Sequence, residues 1–128
     1  MSTVVTYNPN LPWSTEFLLL EEDGTPVDLS GASFRMHVRE TIEADEILAE
    51  SSTTNGKIAF SALTITYNEA EVSGVGIKIS LSAADTLAMY RTGKKVVSDV
   101  ELTFPGSDPI PEIVSFVFNP NLSTTRDF

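Results

Sequence analysis

The strongest constraint on the fold is a run of alternating apolar and polar residues in the first third of the chain. From Ala32 to Arg39 the side chains Ala, Phe, Met and Val occupy every second position, and Ser, Arg, His and Arg fill the others. Successive side chains of a β-strand point to opposite faces of the sheet, so this period of two predicts a strand with one buried and one solvated face. Most other apolar residues recur with the same period. We therefore expect an all-β domain.

Turn-forming residues separate further strand-like runs. Asp23-Gly24 and Asn55-Gly56 are typical of hairpin turns, and three more pairs that contain glycine mark other chain reversals. Six to eight short strands with this punctuation predict an antiparallel β-sandwich, either immunoglobulin-like or jelly-roll-like. The predicted strands lie within 4–7, 14–21, 32–39, 47–49, 58–67, 77–81, 96–102 and 113–118. A bulge or bend is expected near Ala62 and Leu63, where the hydrophobic phase changes. The other turn pairs are Ser73-Gly74, Thr92-Gly93 and Pro105-Gly106.

One short helix is predicted near residues 82–91. Ser82 is followed three positions later by Asp85, a spacing at which hydroxyl and carboxylate form a capping box. Apolar residues then recur at helical spacing before Gly93, which is suited to end a helix.

The first residues predict an extended arm that precedes the domain. The expected organisation is an arm over 1–12, a β-sandwich domain over 13–119 and a C-terminal tail over 120–128. The sequence Asn-Pro-Asn-Leu of residues 8–11 recurs at residues 119–122. An extended arm can add as a strand to the sheet of a neighbouring copy, so we expect it to form part of an oligomer interface. The expected interface residues are Val4, Val5, Tyr7, Leu11, Trp13, Leu122 and Phe128.

Charge and cysteine content exclude several classes of function. The chain has 18 acidic and 8 basic residues, and the resulting net charge of −10 repels nucleic-acid phosphates. It has no cysteine, which removes disulfides, thiolate metal ligands and thiol nucleophiles. Its apolar runs are no longer than Phe17 to Leu20, far short of the roughly 20 residues of a membrane helix. We expect a soluble protein that binds neither nucleic acid nor a membrane.

The sequence predicts no catalytic residue, no cofactor and no metal site. His37 is the only histidine, and it lies on the polar face of a predicted strand without a serine–base–acid arrangement beside it. Carboxylates cluster within 21–28 and 40–50 but lack the spacing of a calcium-binding loop, so we expect them to be solvated. Gly74-Val75-Gly76 lacks the other residues of a phosphate-binding loop. The expected protein is not an enzyme.

Several segments occur in an order known from one group of proteins. In the most specific segment, Asp23 to Arg39, a hairpin turn precedes Pro-Val-Asp-Leu-Ser-Gly and an alternating strand. The other segments are Trp13 to Leu20, Asn55 to Ile58, Leu81 to Leu87, Asp99 to Leu102 and Thr125-Arg126. Over roughly residues 13–126 this series resembles the small β-sandwich domains of tailed-bacteriophage virion proteins, such as the N-terminal domain of baseplate upper proteins and tail-fibre or fibre-adaptor proteins.

The resemblance implies a structural protein of the virion, assembled in the host cytoplasm. It would act in the tail, baseplate or fibre-attachment region by forming homo-oligomers and docking onto other virion proteins. A capsid decoration or head-to-tail joining protein is the near alternative. A carbohydrate- or receptor-binding module that binds host glycan is the alternative from another class. For that module, the aromatic candidates for stacking on sugar rings are Tyr7, Trp13, Tyr67 and Tyr90.

Overall fold

The computed structural model describes residues 2–121, and this part of the chain contains eight β-strands and one α-helix. In chain order they are β1 Ser2–Tyr7, β2 Trp13–Phe17, β3 Ser33–Arg39, β4 Ala49–Ser52, β5 Ile58–Tyr67, β6 Ala70–Leu81, α1 Ala83–Tyr90, β7 Val96–Thr103 and β8 Ile110–Pro120. The predictions of an all-β fold and of a short helix near 82–91 are confirmed. Within residues 2–121, no helix has the length and apolar character needed to cross a membrane.

The strands form two sheets. The larger has the order β1-β8-β7-β3-β4 and the smaller has the order β2-β6-β5. β1 runs parallel to β8, whereas the other neighbouring strands are antiparallel, so the larger sheet is mixed and not wholly antiparallel as predicted. Strands joined by a short turn must run antiparallel, but β1 and β8 stand at the two ends of the described chain and no turn fixes their relative direction.

Buried side chains from both sheets form one core. On β3 the apolar positions are buried and the polar positions lie on the other face, as the alternation predicts. Burying one side chain of this size contributes about 1.5–3 kcal/mol, so the central strands of each sheet supply much of the stabilisation. The fully buried residues of β3 and β6, each at most 2% exposed, are Phe34, Met36, Val38, Ile77, Ile79 and Leu81.

β5 and β6 form a hairpin of 10 and 12 residues. Its turn consists of Asn68 and Glu69, whose φ angles of 50° and 67° are those of a two-residue turn with both central residues left-handed. The predicted turn at Ser73-Gly74 is wrong, because both residues lie inside β6. Gly74 has a different role: a Cβ there would lie 2.9 Å from Cβ of Pro26, so glycine permits the close approach of another segment.

The predicted bend within β5 near Ala62 and Leu63 is also wrong, because the register with β6 continues without a shift. The change in hydrophobic phase has another cause. Near its start β5 buries Ile58, whereas Leu63 and Ile65, on the opposite face, are half-buried further along. Segment 18–26 lies beside this later part of the hairpin. Its residues Leu18 and Pro26 approach Gly74, the β6 residue opposite Leu63.

The helix α1 begins with the predicted capping box. Ser82 Oγ accepts a hydrogen bond from Asp85 N (3.1 Å), and Asp85 Oδ2 accepts one from Ser82 N (2.9 Å). Lys57 Nζ donates to the same carboxylate oxygen (2.7 Å). Partial burial disfavours the charged carboxylate, but the bonds from Lys57 and Ser82 outweigh it and hold the pKa of Asp85 below its ordinary value. The helix buries Thr86 and Met89.

Candidate assembly surface

The two ends of the described chain lie side by side at one edge of the larger sheet. β1 pairs with β8 along its whole length, with Ser2 opposite Ser115 and Tyr7 opposite Pro120. β1 is the edge strand, so on its other side no described strand pairs with its N–H and C=O groups. An edge strand of this kind can accept a strand from another chain, or it can change places with the same strand of a copy.

The repeated Asn-Pro-Asn-Leu sequences meet at the end of this edge. Asn121 donates its backbone N–H to the carbonyl of Tyr7 (2.8 Å) and its side-chain amide to Oδ1 of Asn8 (3.0 Å). This contact arises because β1 and β8 are parallel, so both strands finish at the same end of the sheet. The predicted interface residues of the tail, Leu122 and Phe128, lie outside the described residues.

The predicted interface residues of the arm fall into two groups. Val4 and Leu11 are 63% and 54% exposed, so their side chains are available for contacts with another chain. Tyr7 is buried, and Val5 and Trp13 are half-buried against the core. The side chains of this second group therefore stabilise the domain itself, and only the first group forms an exposed apolar surface.

An aromatic cluster fixes the end of β1 against both sheets. The ring of Tyr7 meets Phe118 of β8 edge to face at a centroid distance of 6.3 Å. Trp13 of β2 meets Phe116 at 5.8 Å and Phe118 at 5.0 Å. The hydroxyl of Tyr7 is buried without a hydrogen-bond partner among residues 2–121. Its burial, reinforced by the nearby Tyr90, raises the pKa of Tyr7 to about 12.

The solvated face of β3 carries residue types from which a catalytic site can be built. His37 Nε2 lies 2.7 Å from Oε2 of Glu50, and its Nδ1 lies 3.3 Å from Nη2 of Arg39. On the neighbouring strands, Ser115 Oγ donates a hydrogen bond to Oδ1 of Asp99 (2.7 Å). The serine is thus bound to a carboxylate and not to the histidine. This is not the serine–histidine–acid order of hydrogen bonds that activates a nucleophile.

The carboxylates of the acidic segment 21–28 take part in turns. Asp23 Oδ1 accepts hydrogen bonds from N and Oγ1 of Thr25 (3.0 and 2.6 Å), and Asp28 Oδ1 accepts the equivalent pair from Ser30 (3.0 and 2.7 Å). These hydrogen bonds lower the pKa of both carboxyl groups, and the bond from the side-chain hydroxyl has the larger effect. Within the part of the chain that the structure describes, no three His, Asp or Glu side chains are grouped so that they could hold a metal ion.

A second exposed surface lies on the β5–β6 hairpin, where Tyr67, a candidate for sugar stacking, was the one functional residue expected from the sequence. Phe60 and Val75 are 40% and 50% exposed there, beside an apolar groove bordered by residues 26–32. The sequence does carry a signal for this surface, because β5 contains no charged residue over its ten positions.

The described residues thus combine a sheet edge built from the two chain ends, a polar strand face without an activated serine, and a hairpin whose edge strand β5 is uncharged. No family model, no curated protein and no solved structure matches the chain.

Proposed function

We propose that this chain is a structural protein of a bacteriophage particle that acts in the tail, baseplate or fibre-attachment region by oligomerisation and docking. The observation that carries the proposal is the sheet edge at which the N-terminal strand lies against the C-terminal strand. β1 at this edge offers two ways of joining copies, which are strand addition and strand exchange. Exposed Val4 and Leu11 add apolar surface beside it.

The finer fold that we propose is a β-sandwich of the immunoglobulin-like or jelly-roll-like type. It is supported by the single core to which both sheets contribute buried side chains. In the segment that carries the resemblance to phage virion domains, Gly24 and Gly31 have φ angles of 88° and 74°, Leu29 is buried, and the alternating strand β3 follows. The virion role itself rests on that resemblance.

The exposed aromatic residues favour the structural role over a glycan-binding module. A sugar-binding face needs aromatic rings that lie on one side of a sheet. Among residues 2–121, the large aromatic side chains that are exposed are Phe60 and Tyr67, and they lie on opposite faces of β5 because their positions differ by an odd number. Trp13 and Tyr90 are half-buried and pack against the core.

Strand exchange at the terminal edge can be tested with an introduced cysteine pair, because the chain has no cysteine of its own. Val4 and Val117 are direct neighbours on β1 and β8. Cysteines at adjacent positions of neighbouring strands lie within the Cα separation that a disulfide tolerates. If β1 is exchanged, oxidised Val4→Cys/Val117→Cys protein forms covalent oligomers on a non-reducing denaturing gel.

The matched control for this experiment is Val97→Cys/Val117→Cys, which joins β7 to β8 within one chain. It should give only an intrachain disulfide. A monomeric product from both pairs on the denaturing gel would contradict strand exchange. The virion role is tested separately, by mass spectrometry of purified particles of the phage that encodes the chain. Absence from the particle, or micromolar binding of the isolated domain to host cell-wall glycan, would overturn the purely structural role.

A further inference from the structure

β5 is an unprotected edge strand of the smaller sheet. In the order β2-β6-β5 it pairs with β6 on one side, and no described strand pairs with it on the other. From Ile58 to Tyr67 it contains no charged residue, no proline and no glycine, and six of its ten residues are β-branched or aromatic. Such a sequence is typical of a strand with neighbours on both sides.

The other sheet edges differ from β5. β4 has four residues and carries Glu50, and β2 has five residues, carries Glu16 and follows Pro12. β1 is uncharged but only six residues long. Proteins protect open edges by short length, charge, proline or bulges, and β5 has none of these. Only its first residue, Ile58, is buried, and most of the others are exposed.

We propose that β5 is a self-association surface, on which two copies of the chain pair β5 antiparallel to β5 about a twofold axis. The pairing joins two three-stranded sheets into one continuous sheet and makes about ten backbone hydrogen bonds. This interface is separate from the terminal edge and does not depend on the virion role.

The placement of charges around this edge favours a second copy as its occupant. The chain has a net charge of −10, so copies attract one another only where carboxylates are kept apart. β5 itself is uncharged. Glu69 and Glu71 lie at the tip of the hairpin, and at the same end Gly24 of the acidic segment 21–28 approaches the ring of Tyr67. Antiparallel pairing about the middle of β5 places the two tips at opposite ends of the interface.

The symmetry also restricts the register. A twofold axis perpendicular to the sheet keeps each face on the same side, so residues of the same parity must be opposite each other. Pairing Leu63 with Leu63 of the second copy meets this condition and pairs residues 59–67 of the two copies. It also places Lys57, whose ammonium donates to Asp85 of its own chain, opposite Glu69 of the second copy, so that unlike charges lie near each other.

The first test is the native mass of the chain by light scattering after size exclusion. We expect at least twice the chain mass of 13.9 kDa, and a larger multiple if copies also join at the terminal edge. Ala62→Lys places a charge at the exposed edge and should halve the native mass. The matched control is Val75→Lys, because Val75 lies opposite Ala62 on the inner strand β6 and is also exposed. It should remain dimeric, and circular dichroism verifies that both variants are folded.

The second test uses a single cysteine and requires no destabilising charge. Leu63→Cys should form a disulfide-linked dimer on oxidation, since the two sulfur atoms face each other across the axis. Val75→Cys, one strand or about 4.8 Å further from the axis, should not. A monomeric original chain, or a dimer that survives Ala62→Lys and lacks the Leu63→Cys cross-link, would overturn the proposal. Neither outcome affects the test by particle composition, so the failures of the two proposals are distinguishable.

Discussion

The hydroxyl of Tyr7 is a buried polar group without a hydrogen-bond partner among residues 2–121. Such a group costs free energy on folding. The pKa of Tyr7 is raised from 10.0 to about 12, because its surroundings favour the neutral phenol. Because the folded pKa lies above the unfolded one, ionisation of Tyr7 opposes folding. The neutral phenol therefore leaves the stability of the fold undiminished below pH 10.0, and stability is lost as the pH rises toward 12.

Replacing Tyr7 by Phe tests both statements. At neutral pH we expect Tyr7→Phe to leave the free energy of unfolding unchanged or to raise it by about 1 kcal/mol, because the unpaired hydroxyl is removed. Between about pH 10 and 12 the variant should lose less stability than the original chain. Urea unfolding followed by circular dichroism measures both effects. Tyr67→Phe, at an exposed position, is the control, and an equal alkaline loss in Tyr7→Phe and the original chain would contradict the interpretation.

Among the elements, α1 shows how one carboxylate can join two parts of the fold. Asp85 caps the first turn of the helix and receives a hydrogen bond from Lys57, which comes directly before β5. The helix has eight residues, too few to be stable by itself in water, so its cap and its buried residues must hold it.

We expect Asp85→Asn to lower the free energy of unfolding by about 1 kcal/mol at neutral pH, because it weakens the cap and removes the charge that Lys57 contacts. The pKa of Asp85 is lowered in the fold, so its contribution is present above the unfolded pKa and is lost as the pH falls through the folded pKa. The difference between variant and original chain in urea unfolding should therefore disappear in acid. Asp108→Asn, at an exposed site, is the control, and a difference that persists in acid would count against the charge as its cause.

The sequence predicted those elements whose patterns lie within a few neighbouring residues. β3 follows from strict alternation and α1 from the spacing of Ser82 and Asp85, because neighbouring residues determine both. On the β5–β6 hairpin the predicted range 58–67 matches β5, but the predicted turn and the predicted bend are wrong. Ser73-Gly74 has the composition of a turn, yet Gly74 serves the approach of Pro26, which is far away in sequence. The actual turn, Asn68-Glu69, lacks the glycine that usually marks one.

In the whole molecule, the aromatic cluster links the two sheets. Phe118 of β8 is fully buried and contacts Tyr7 of β1 and Trp13 of β2, so it touches the edge of the larger sheet and the first strand of the smaller one. Trp13 is the only tryptophan, and its fluorescence therefore reports on this cluster.

We expect Phe118→Ala to lower the free energy of unfolding by about 3–5 kcal/mol, because it leaves a cavity between the sheets. The fluorescence of Trp13 in the folded variant should shift toward that of a solvated indole. Val117→Ala, at a half-buried position on the other face of β8, is the control and should cost less than about 1 kcal/mol. Similar losses in both variants would show that the cluster does not join the sheets.

The sequence predicted only some residues of the candidate assembly surface. Val4 and Leu11 were expected at an interface and are exposed, whereas Tyr7 and Trp13 were expected there and pack against the core. An apolar side chain near a chain end is equally suited to a core or to an interface. Whether such a side chain is buried or exposed depends on which strands lie beside it, and the local sequence does not specify those strands.

The sequence by itself determined the all-β class, the buried face of β3 and the position of the helix, because alternation and capping act between residues a few positions apart. The tertiary structure alone decided that β1 runs parallel to β8, that the Asn-Pro-Asn-Leu repeats meet, and that β5 is left as an open edge. An alternating pattern specifies which face of a strand is buried, but it specifies neither the neighbour of that strand nor its direction. Those depend on backbone hydrogen bonds between residues far apart in the chain.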